Sequence, residues 1–201
     1  MPPTAGGAFG DNPCMSSTPA PERLARDLDL HLDHVRSAPR DAATVELIVR
    51  RPGRDSREVV EEAVLDPDRG LVGDDWLGRG SGSAADGSAE RDAQLTLMST
   101  RVLAAIEPDS SRWPLAGDQL YLDLDLGVEN LPVGTRLSVG EAVVEVTEKE
   151  HTGCAKFAAR FGKDALRWVS TPTGRVLRMR GIYVRVVAGG AVHVGDIVRK
   201  D

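Results

Sequence analysis

The chain has 201 residues, 28% of them charged and 4% aromatic, and a net charge of −6. That length suffices for one domain with a buried core, and no apolar run approaches the ~20 residues that span a bilayer. The opening stretch, MPPTAGGAFGDNPCMSSTPAPE, has no basic segment followed by an apolar one and does not read as a signal peptide, so a cytoplasmic protein with no membrane partner is expected.

Residues 1–20 are rich in Pro, Gly and Ser and predict a flexible tail. They hold Cys14; with Cys154 as the other cysteine there is no disulfide framework, and no CxxC pair offers a local zinc site. Over 21–42, Leu24, Leu28, Leu32 and Val35 recur at helical spacing and predict one peripheral helix. The period then changes. ATVELIVRRP alternates, which places Val45, Leu47 and Val49 on one face of a strand. REVVEEAVLD is compatible with a strand, and DPDRGLVGDD is a turn in which Asp74 is either structural or positions a basic side chain. Residues 78–92 form a Gly/Ser/Ala loop of the kind found at ligand mouths.

AQLTLMS predicts a strand with Leu95 and Leu97 on one face, followed by a short helix capped by Ser99 or Thr100. QLYLDLDL alternates, and two strands flank the turn at Gly140-Glu141. Helical pieces follow at 154–161 and 163–169, then strands with Gly189-Gly190 as a hairpin turn. Trp76, Trp113 and Trp168 are expected in the core. The expected class is mainly β (β/α mixed). Many short strands, few helices and turns at Gly140-Glu141 and Gly195-Asp196 predict a small closed or half-closed barrel over 43–201, with a few short peripheral helices.

Charge is unevenly spread. Residues 151–185 carry eight basic side chains and one acid, inside an acidic chain. That pattern suits one small anionic ligand better than nucleic acid. Within it lies HTGCAKFAARFG. Taking Thr152 as the N-cap puts Cys154 in the first turn of a helix, where unpaired N–H groups, Lys156 and Arg160 favour a thiolate. Phe157 and Phe161 form the buried stripe, and Gly162 ends the helix. On spacing alone Cys154 is equally well a small buried residue. His151 and Cys154 make too few ligands for a zinc site of their own. No nucleophile elbow, dinucleotide fingerprint or P-loop is present.

Several of these residues stand in a recognisable order: Glu129–Leu131 as E-N-L, G-x-x-L-x-V-G before a strand, a lone cysteine, Arg180-Gly181, and V-x-V-G-D-x-V at Val192–Val198. Over residues 117–198, and more weakly back to about residue 43, the chain resembles the MOSC domain family, named for the C-terminal domain of molybdenum cofactor sulfurases. The resemblance implies a β-barrel that binds the molybdenum cofactor (molybdopterin). Cys154 would then be a persulfide sulfur carrier or a ligand to molybdenum, and His151 would either assist proton transfer or merely orient a loop. It implies Arg178 and Arg180 as anion contacts, then Lys156 and Arg160, with Asn130 as either a ligand contact or a turn-former. The implied activities are sulfur transfer to the cofactor and molybdenum-dependent reduction of N-hydroxylated compounds. Pyridoxal phosphate is not expected in this chain. It would belong to a separate cysteine desulfurase acting as sulfur donor, with a molybdoenzyme or redox partner downstream. The chain has His-Thr-Gly before the cysteine, where better-studied branches more often carry a proline. Two other readings compete: a cofactor-free barrel that binds an anion or a protein without using Cys154, and a thiol redox sensor.

Overall fold

The computed structural model describes residues 25–81 and 86–201. The tail 1–20 with Cys14, Leu24 of the expected helix, and residues 82–85 of the 78–92 loop lie outside them. Seven strands close into a barrel: β1 (Ala43–Arg50), β5 (Leu95–Ser99), β6 (Leu120–Leu122), β7 (Arg136–Val139), β8 (Ala142–Val146), β9 (Ile182–Ala188) and β11 (Ile197–Lys200). The order around it is β1–β11–β7–β8–β9–β5–β6, returning to β1. β2 (Glu58–Val60) extends β1 as an antiparallel partner. β3 (Glu62–Asp66), β4 (Gly70–Leu71) and β10 (Gly190–His193) form a separate three-stranded sheet.

All barrel pairings are antiparallel except β5–β6, where Leu97 lies opposite Leu120. A parallel pair needs a crossover. Here it consists of α4 (Thr100–Ile106) and a 3-10 turn at Ser110–Ala116, and it brings the chain back at Gly117-Asp118. Ser99 stands at the N-cap of α4, but its hydroxyl makes no capping bond.

Alternation along the strands sorts side chains into two cores. Val45, Ile48, Leu95, Leu97, Leu120 and Leu122 fill the barrel with residues from β7, β8, β9 and β11. Met98, Val49 and Tyr121 point the other way, onto α4, α5 (Ala155–Phe161) and α6 (Lys163–Val169). Every residue of β5 is therefore buried, which its sequence, LTLMS, could not reveal by alternation. The expectation of one face for Val45, Leu47 and Val49 is corrected. The β1–β6 register shifts between Val45 and Leu47. That bulge reverses the phase, so Val45 and Ile48 face the barrel while Leu47 and Val49 face the helices.

Two further expectations change. The predicted single helix is two, α1 (Ala25–Asp29) and α2 (Leu32–Arg36), broken at Leu30-His31 so that α1 docks on α6, where Trp168 Nε1 donates to Asp29 Oδ1 at 3.0 Å. Gly189-Gly190 is not a hairpin turn: β9 stays in the barrel while β10 pairs with β3. α3 (Trp76–Arg79) and α7 (Pro172–Val176) are the other α-helices among the described residues, the latter capped by Thr171 Oγ1, which accepts from the Gly174 amide. Trp76 and Trp168 are buried, and Trp113 is partly so. Among the described residues no helix is long and apolar enough to cross a membrane.

Candidate functional site

Two cavities meet at the loop after β8. One, of about 300 Å³, is lined by Cys154, His151, Tyr183 and seven basic side chains: Arg51, Arg57, Arg79, Lys149, Lys156, Arg160 and Arg180. Among the described residues Glu90 is the sole carboxylate in its wall. This basic cleft gathers distant parts of the chain, because Arg51 and Arg57 come from the β1–β2 connection, Lys149 to Cys154 from the loop after β8, and Arg180 from the turn into β9.

The floor is a buried ion pair. Arg180 Nη1 donates to both oxygens of Asp118, at 3.1 and 2.9 Å, and Nη2 donates to the Ala116 carbonyl at 3.1 Å. The guanidinium carbon lies 4.8 Å from the centre of the Phe157 ring. Phe157 in turn packs on Phe161, with ring centres 5.0 Å apart, so the apolar stripe of α5 both anchors the helix and supports Arg180. Full burial pushes the Asp118 carboxyl upward, against the pull of Arg180 and Arg51. Gly181, at φ 94°, follows Arg180 directly. A Cβ there would sit 2.3 Å from the Leu97 carbonyl oxygen, so only glycine lets the turn approach β5 this closely.

Arg51 is fixed by Asp74, with Nε to Oδ2 at 2.8 Å and Nη2 to Oδ1 at 3.0 Å. Asp74 also accepts from the Trp76 amide at 3.0 Å. It therefore serves as turn residue and positioner at once. Among the described residues no such carboxylate fixes Arg57. Its Nε is buried and unpartnered, and burial, then Arg160, then Arg51, hold its guanidinium below the ordinary value. The Nε of Arg180 and Nδ1 of His151 are likewise buried without a partner.

His151 stands in the wall between the cavities. Its ring centre lies 4.5 Å from that of Tyr183, and Nδ1 is 3.6 Å from Asp118 Oδ1, too far for a hydrogen bond. Burial, reinforced by Arg180 and Arg51, holds its pKa well below 6.5, so the imidazole is neutral at pH 7. Cys154 is exposed at the cleft. It occupies the N-cap position of α5, with φ −126° and ψ 173°, and its carbonyl accepts from the Ala158 amide at 3.1 Å. The expected cap, Thr152, is displaced: the chain is still extended at Cys154, and Thr152 lines the other cavity.

Lys156 and Arg160 line the cleft as expected, but both also reach across to Asp55 in the β1–β2 loop, at 3.0 and 3.1 Å. Arg178 belongs to the second cavity and not to the cleft. Asn130 lines neither. Its amide donates to the carbonyls of Arg40 and Asp125, and its oxygen accepts from Lys200 Nζ at 2.9 Å, so its groups are spent tying loops together. Among the described residues no group of three or more His, Cys, Asp and Glu could hold a metal ion. Sequence reasoning missed Arg51, Arg57, Arg79 and Lys149. The Gly-Asp turn was the one signal that could have led to Arg51.

A MOSC domain model matches residues 86–199 of the chain. No curated protein matches it. Among solved structures, the YuaD protein from Bacillus subtilis superposes with a TM-score of 0.60 at 18% identity, over 78% of this chain and 94% of that one. YiiM from Geobacillus stearothermophilus gives 0.55 at 16% identity, over 79% and 75%. YiiM from Escherichia coli gives 0.51 at 21%, over 79% and 69%. At these identities the likeness is one of fold.

Proposed function

The chain belongs to the MOSC domain family, and on that premise we propose that it binds the molybdenum cofactor in the basic cleft, with the Cys154 sulfur at the cofactor's metal end. The observation that carries this reading is the convergence of an exposed thiol with seven basic side chains on one cleft.

The residues present fit such a group. Arg160 and Arg51 add to burial in holding the Arg57 guanidinium below its ordinary value, and Arg57 keeps an unpartnered buried Nε, which is the arrangement a phosphate oxygen relieves. A cofactor that brings its own sulfur ligands asks one protein thiolate of the chain, and sulfur is a soft donor suited to such a metal. When bound, the cofactor would supply two-electron redox chemistry to N-hydroxylated compounds. The chain's own residues have simpler tasks. The guanidiniums bind and orient the anion. His151, held neutral, would offer its unpartnered Nδ1 as a hydrogen-bond partner to a group that gains or loses a proton beside the cleft. As a sulfur carrier, the Cys154 thiolate attacks the outer sulfur of a donor persulfide. A new S–S bond forms on Cys154, and the donor leaves as a thiolate. Exposure of Cys154 supports this step, since a separate cysteine desulfurase must reach it.

Anaerobic purification from a host that makes molybdopterin tests the reading. Near-stoichiometric molybdenum and pterin are expected, with cyanide-labile sulfur if Cys154 carries a persulfide. In Cys154→Ala a ligand role predicts loss of molybdenum, and a carrier role predicts loss of labile sulfur alone. A wild-type protein with no metal, pterin or labile sulfur would leave the cofactor-free anion-binding barrel as the better account.

A further inference from the structure

Across the 147–153 loop from Cys154 lies the second cavity, of about 360 Å³, within the range of small-molecule sites. Val128, Val169 and Ile182 give it an apolar wall. We propose that this cavity is a second binding site, for a small organic carboxylate with an apolar body. The inference stands on the geometry of this cavity and does not need the cofactor.

The charges in the cavity decide the ligand class. Lys149 is paired with Glu90, and Arg180 with Asp118. Glu148, Glu150 and Arg175 are exposed at the rim, where water screens them. Arg178 differs. It is half-buried, and among the described residues its guanidinium makes one hydrogen bond, from Nη1 to the Leu131 carbonyl at 2.5 Å. Among the described residues no carboxylate lies within ion-pair distance of it. Burial lowers its pKa. A guanidinium held this way lacks a counter-ion that a ligand can supply.

Its backbone supports the same reading. Arg178 has φ 46°, a left-handed conformation that costs an L-residue energy and that glycine would adopt freely. The chain keeps arginine there. One uncompensated planar guanidinium beside apolar side chains matches a monoanionic carboxylate. The clustered guanidiniums of the cleft suit a more highly charged phosphate.

The test uses benzoate, its neutral twin benzamide, and inorganic phosphate, titrated into the isotope-labelled full chain. Amide shifts of Gly153, Gly174 and Gly181 report the cavity. Benzoate should give saturable shifts at these amides and bind at least about tenfold more tightly than benzamide or phosphate, the scale of one charge-assisted hydrogen bond. Arg178→Gly removes both guanidinium and backbone strain, so it should fold and yet lose about tenfold in benzoate affinity. Arg178→Gln should lose as much. Arg57→Gln, in the cleft, should stay within about twofold of wild type. Equal binding of benzamide, no saturable shift, or wild-type affinity in both Arg178 variants would overturn the proposal. None of these readouts depends on molybdenum or pterin, so the two readings fail separately.

Discussion

Arg180 and Asp118, 62 residues apart, form a two-oxygen ion pair beneath the basic cleft, with both side chains almost fully buried. The pair fixes the turn into β9 against the end of the crossover. Removing one partner leaves a buried charge. Arg180→Ala should therefore cost about 3–5 kcal/mol. The double change Arg180→Met with Asp118→Leu should cost less than the sum of the two single changes. Urea denaturation of wild type, the three single variants and the double variant checks both statements.

His151 predicts a pH dependence. Its folded-state pKa lies below the unfolded value of 6.5. In acid the unfolded chain takes up a proton that the folded imidazole, facing Arg180, Arg51 and Tyr183, refuses. The stability this linkage protects is fully present above the unfolded value and is lost as pH falls below it. Thermal midpoints of wild type should drop between about pH 7 and pH 5, and those of His151→Phe should drop less over the same interval. Equal slopes would show that His151 is not held neutral.

Gly181 and Gly134 separate strain from collision. Both have positive φ, but a Cβ at Gly134 meets open space while one at Gly181 meets the Leu97 carbonyl. Gly134→Ala should cost about 1–2 kcal/mol, the left-handed penalty alone. Gly181→Ala adds a backbone clash and should exceed about 3 kcal/mol. Calorimetry of the two variants gives the comparison.

Barrel and site were legible in the sequence to different depths. Leu95 and Leu97 declared their strand, Gly140 and Gly195 marked real corners, and Phe157, Phe161 and Gly162 described α5 correctly. The bulge after Val45 was hidden, because Leu47, Ile48 and Val49 are all apolar and either phase buries them. Gly189-Gly190 has the composition of a hairpin, but which strand β10 joins depends on a partner more than 120 residues away. Cys154, His151, Lys156, Arg160 and Arg180 lie in one basic segment of the sequence, and all five line the cleft. Arg51 and Arg57 reach the same cleft from the β1–β2 connection, and only the closed barrel brings them there.

Cys154 separates chemistry from stability. It is exposed and its side chain makes no capping bond. Cys154→Ser should change stability by less than about 0.5 kcal/mol. Bound molybdenum or cyanide-labile sulfur should fall to background in the same preparation.

The cleft itself can be probed without the cofactor. Pyrophosphate should stabilise the wild-type protein by about 2.7 kcal/mol at a hundred times its dissociation constant. The effect should weaken with added salt, because partly exposed Lys156 and Arg160 contribute to it. Arg57→Gln should abolish most of it, and Arg178→Gly should leave it in place. Midpoint shifts by differential scanning fluorimetry decide the matter.

The order of strands around the barrel has a consequence for biosynthesis. β9 lies between β5 and β8, and β11 between β7 and β1, where Val198 meets Ala43. Both closing strands come from residues 182–200. While a ribosome is still making that segment, four barrel strands have unpaired edges and no common interior. Until that segment emerges, the nascent chain thus keeps an aggregation-prone surface exposed. The cleft, whose floor needs Arg180 and Gly181 in register with β5, cannot be complete before β9 pairs with β5.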